Sequence, residues 1–151
     1  MSSPSDLPRT FRVRQLYDDP TVVDVPAAVD EQLAALDLGR RVGAGDSVAV
    51  AAGSRGIANI AGVVRAVAAH LRGLGAQPFI VPAMGSHGGG TADGQRAILA
   101  GHGITEESCG CPIRASMETV VVAEAAAGFP IHIDAHAHAH GADHTVVCNR
   151  I

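Results

Sequence analysis

The chain contains no lysine and no tryptophan, and only four aromatic side chains in 151 residues, three phenylalanines and one tyrosine. Without lysine there is no side-chain amine for a Schiff base or for tethering a cofactor; all eleven basic residues are arginine. With so few rings the core has to come from Val, Ile, Leu and Ala, which suits a parallel sheet covered by helices. Charge is also sparse, at 17% of residues with a net charge of −4 and a pI near 6.0. That balance leaves no basic footprint for nucleic acid. No run reaches the ~18 apolar residues that a membrane-spanning helix needs. The opening MSSPSDLPRT has no apolar signal core either. A cytoplasmic protein without a membrane partner is therefore expected. Cysteine is limited to Cys109, Cys111 and Cys148, an odd number that cannot fully pair. The Cys-Gly-Cys spacing is not the C-x-x-C of redox and zinc sites, so reduced, semi-buried thiols are expected.

What the chain has in quantity is glycine, 18 residues, and small aliphatics, with 47% of residues hydrophobic. The length suits one domain. Residues 1–10 read as a loose tail and residues 11–151 as a single α/β domain. Phe11, Val13 and Tyr17 alternate with polar residues and 21–25 is β-branched, so two short strands or a hairpin are plausible there. Asp24 is a helix cap, with Pro26 in the first turn and Val29, Leu33 and Leu36 on one face. Residues 47–52, SVAVAA, read as a core strand. Ile57, Ile60, Val63, Val64, Val67, Leu71 and Leu74 then recur at helical spacing.

The most informative stretch is 79–90, FIVPAMGSHGGG. Phe79, Ile80 and Val81 favour a buried strand, and Gly85, Gly88, Gly89 and Gly90 allow a loop that lies against a ligand. Thr91 caps a helix over 92–102, stopped by Gly103. Such a loop offers N–H groups and a positive helix end to an anion, with the His87 imidazole in its middle. The spacing is neither the dinucleotide G-x-G-x-x-G nor a Gly-Lys-Ser/Thr phosphate loop. The plain alternative is a flexible turn with a solvent-facing histidine.

Strand, loop and helix occur twice in succession, the pattern of a Rossmann-like parallel sheet flanked by helices. In such sheets ligands sit beyond the carboxyl ends of the strands. If the two strands are neighbours, Arg55 and His87 face one crevice. Arginine there suits a carboxylate and histidine suits proton transfer near neutral pH. The last third reads differently: 119–123 and 130–134 form a β-hairpin, and 145–148 another strand. Between them, His136, His138 and His140 would share one face of a strand and could hold a metal. The alternative is an exposed Ala/His-rich connection.

SRGIANI (54–60), PAMGSHGG (82–89), PIRASME (112–118) and VCNRI (147–151) together resemble the N-terminal domain of the nickel-dependent lactate racemase family. The resemblance runs from about Gly43 to the end. It implies an α/β domain paired with a second domain, acting on a 2-hydroxy acid or similar carboxylate by racemase-type hydride transfer with a nickel pincer nucleotide. By the same resemblance His87 matches an acid/base histidine and Arg55 the carboxylate-binding arginine. Ser54, Gly85, Ser86, Gly88 and Gly89 would then form the substrate-binding loops. Several positions depart from the pattern. Gly56 replaces a proline and Ala52 an aspartate. The second catalytic histidine would fall near PIRASME, where only Arg114 and Glu118 offer ionisable groups. The tethering lysine would fall near Ala135, in a chain without lysine. The family's nickel-ligating histidine follows the closing block, so the resemblance implies one half of a longer enzyme. An apolar face left for a second domain or for a second copy is expected. The other readings are a non-catalytic anion-binding module and a His-rich metal-binding protein.

Overall fold

A computed structural model describes residues 10–18, 21–138 and 141–148. Two sheets organise it. The first joins β1 (Ser47–Ala52), β2 (Gln77–Pro82) and β5 (His144–Cys148) in the order β2-β1-β5, all parallel. The second is the antiparallel hairpin of β3 (Thr119–Glu124) and β4 (Pro130–Asp134). The expected α/β architecture, a Rossmann-like parallel sheet flanked by helices with a hairpin in the last third, is what the chain adopts.

Side-chain alternation decides which face of the sheet carries the main core. Val48, Val50 and Ala52 of β1 and Ile80 of β2 point one way, into a cluster with the helices. Helix α2 (Ile60–Gly73) contributes Ile60, Val64, Val67, Ala68 and Leu71, the stripe seen in the sequence. Val29 and Leu33 of α1 (Val25–Ala35), Leu99 of α3 (Ala92–Gly101) and Cys109 of α4 (Glu106–Cys109) complete it. Deleting a side chain such as Leu71, 1% exposed, leaves a cavity and costs about 2–5 kcal/mol. The opposite face carries Ala49, Ala51, Phe79 and Val81, covered by Ala142 and Ala137 of the loop before β5.

Helix ends follow local chemistry. The Asp24 carboxylate accepts the Ala27 N–H at 3.0 Å to start α1, and Thr91 accepts the Gly94 N–H at 3.1 Å to start α3. Strand β5 is fixed to the start of β1 across 96 residues of sequence: Asp143 accepts from Ser47 N–H at 2.8 Å and Ser47 O–H at 2.7 Å. Residues 112–114 extend the sheet beyond β2, Arg114 N–H donating to the Ile80 carbonyl and Ile80 N–H to that of Pro112.

Two expectations are corrected. Residues 10–18 and 21–24 form no strand; Phe11, Val13 and Tyr17 are exposed, so their alternation has no sheet to face. The β-branched run ends in helix α1, because the Asp24 cap and Pro26 favour a helical start over extension. The tail over 1–9 lies outside the described residues. Among the described residues no helix is long and apolar enough to cross a membrane.

Candidate functional site at the carboxyl ends of β1 and β2

Strands β1 and β2 are direct parallel neighbours, with Ala52 opposite Pro82. The loops leaving them therefore start side by side. They are joined by a 2.6 Å hydrogen bond between Ser54 Oγ and His87 Nδ1. A hydroxyl both donates and accepts. When Nδ1 is unprotonated Ser54 donates to it; when the ring is an imidazolium Nδ1–H donates to Ser54. The contact thus survives a change of charge on His87, and it leaves Nε2 as the ring nitrogen facing outward. Arg55 follows Ser54, is exposed, and has no carboxylate partner among the described residues. An imidazole and a hydroxyl thereby meet at one sheet end, with Arg55 the next residue along the chain.

Helix α3 braces both loops from beneath. Gln95, 3% exposed and the one buried polar side chain among the described residues, donates Nε2–H to the Gly85 carbonyl at 2.7 Å. At the other end of the helix, His102 Nε2–H donates to the Ser54 carbonyl at 3.0 Å. Sequence reasoning missed both residues, since a Gln inside an amphipathic helix and a His at its end carry no motif. The one sequence signal was spacing: Gln95 lies four residues before Leu99, on the buried side of α3.

The glycines divide by task. Gly88, at φ 68°, packs against the backbone of Gly94 and Gln95, where a Cβ on either glycine would collide. Thr91 O–H donates to the Gly88 carbonyl at 3.0 Å. The first turn of α3 is therefore covered by its own loop. Gly85 and Gly89, at φ 58° and 69°, have open space around them. Ser86 and His87 are exposed on the same loop.

Next to this site, under Met84 and Gly85, a cavity of about 410 Å³ runs between the second face of the sheet and the hairpin. A larger one, about 710 Å³, lies between the starts of α1 and α2 and meets the Ser54 loop through Ile57 and Asn59, with His102 beside them. Arg114, one candidate second ionisable group, is engaged elsewhere, stacked 4.0 Å over the Phe79 ring. Glu118 borders the 410 Å³ cavity.

Burial pushes the Cys111 thiol up to about 11, with nearby Cys109 adding to it, and burial also raises Cys148. None of the three cysteines is in a disulfide. Cys111 and Cys148 are therefore poor nucleophiles.

No protein-family model matches the chain, and no curated protein and no solved structure matches it either.

The metal and cofactor expectations are corrected. Strand β4 ends at Asp134, whose carboxylate accepts the His136 N–H at 2.8 Å and the Ala137 N–H at 3.1 Å and turns the chain. His136 and His138 therefore sit in a turn and not on one face of a strand; His140 lies outside the described residues. Among the described residues no group of three His, Cys, Asp or Glu side chains is placed to hold a metal ion. With no lysine near Ala135 or elsewhere to anchor it, a nickel pincer nucleotide does not fit this donor set.

Proposed function

We propose that the chain is a carboxylate-binding α/β domain of the lactate-racemase-like type, built around Arg55, Ser54 and His87. The observation that carries this reading is the Ser54–His87 hydrogen bond, which draws the two post-strand loops into one group. Arg55 takes the carboxylate through two parallel charged hydrogen bonds. His87 Nε2 meets the group next to it, a hydroxyl in the case of a 2-hydroxy acid, and holds or moves its proton. Ser54 keeps the ring oriented in either charge state. The four sequence blocks support the racemase-like kinship, and the parallel order of the strands supports the location. Binding is the function this chain's own residues account for.

Calorimetric titration with lactate tests the reading. The parent chain is expected to bind one equivalent. Arg55→Ala should weaken it about 10- to 100-fold, the effect of losing about 1.5–3 kcal/mol of charged hydrogen bonding. His87→Gln should weaken it less. Equal affinity in the parent and Arg55→Ala would overturn the proposal.

A further inference from the structure

We infer that the ligand of this site carries an apolar body of several carbons, seated in the 410 Å³ cavity beneath the glycine loop. The inference rests on the carboxylate reading above and names the class of carboxylate. Its first support is proximity. Met84 and Gly85 line the cavity, and Gly85 is two residues from His87. Two residues of extended chain span at most ~7 Å, a distance that a carboxylate with a chain of several carbons bridges.

The second support is the lining. Ala51, Val81, Met84, Ile133 and Val147 make its walls. Val81 and Ala51 stand on the sheet face that the helices do not cover, and Val147 of edge strand β5 is 68% exposed beside them. Parallel sheets ordinarily have both faces covered; over this part of the second face the hairpin stands off and leaves the cavity. The third support is size. A cavity of about 150 Å³ lined by aliphatic side chains holds benzene. The volume here is more than twice that and far exceeds what the methyl group of lactate would fill.

Charge sets the direction in which the ligand lies. Glu118 and Asp134 border the cavity at the hairpin side. They repel a carboxylate there, while Arg55 attracts one at the other end. The head therefore points to the loops and the apolar body towards the hairpin.

A calorimetric series of propionate, hexanoate and 3-phenylpropionate on the intact chain tests this. Affinity is expected to rise about fourfold per methylene buried. The gain should shrink in Ala51→Leu, whose larger side chain takes up part of the cavity. Val147→Glu, at an exposed position of edge strand β5, should abolish the gain. If propionate and 3-phenylpropionate bind equally and Arg55→Ala weakens both, the carboxylate reading stands and this inference falls. If no acid binds, the carboxylate reading falls, and 3-phenylpropanol decides the cavity separately. Amide shifts at Ala51 and Val147 on adding it support an apolar subsite; unshifted resonances overturn it.

Discussion

Ser54, Gln95 and Gly94 show how few residues hold the two loops in place. Ser54→Ala removes a hydrogen bond at the surface, so stability should fall by only about 0.5–1 kcal/mol. Its effect belongs to the imidazole: ¹⁵N spectra of the His87 ring should report a change at Nδ1 and little at Nε2. Gln95 is different because it is buried. Gln95→Leu strands the Gly85 carbonyl away from its donor, and a loss of about 1–3 kcal/mol is expected in denaturant unfolding. Gly94→Ala should cost at least as much, since its Cβ would run into the Gly88 carbonyl. The cysteines give a chemical check at the same scale. With Cys111 pushed up to about 11, iodoacetamide at pH 8 should modify it slowly in the folded chain and rapidly in urea.

At the scale of elements, the parallel sheet depends on β5 being brought back to β1 from the far end of the chain. The Ser47 N–H and O–H hold the Asp143 carboxyl below its usual value. A lowered folded value means that Asp143 stabilises the fold at pH above its unfolded value. That contribution is lost as pH falls through the folded value. Thermal melts should show a loss of stability on acidification that is smaller in Asp143→Asn, and amide exchange in β5 should quicken in that variant. This element also shows what the sequence could and could not carry. The apolar runs at 47–52 and 79–81 and the stripe of α2 were legible because burial on both faces or on one face leaves a period of its own. The hairpin was legible from two β-branched runs around a Gly-containing link. The pairing of β5 with β1, and the use of Asp143 to secure it, were not, because a contact across 96 residues has no local period. The strand proposed near residue 11 failed for a related reason: alternation alone does not create a neighbouring strand. The histidines after β4 alternate just as regularly, yet the Asp134 carboxylate turns the chain before they can line a face.

For the whole molecule, the site emerges from topology more than from any one motif. Neighbouring strands bring Gly-Ser-Arg-Gly and Gly-Ser-His-Gly-Gly together, and α3 ties each loop to the same helix through Gln95 and His102. His102→Gln can still donate to the Ser54 carbonyl, whereas His102→Ala cannot. Carboxylate affinity should therefore fall in the alanine variant and recover in the glutamine one if the brace sets the spacing of the loops. The measurement that bears most directly on this account is a ¹⁵N-edited NMR titration of the intact chain with lactate. The account predicts that Ser54, Arg55 and His87 shift together along one saturable isotherm, and that Arg55→Ala moves the isotherm to about 10- to 100-fold higher lactate concentration. Shifts confined to the Arg65–His102 cavity, or no saturable shifts at all, would contradict it.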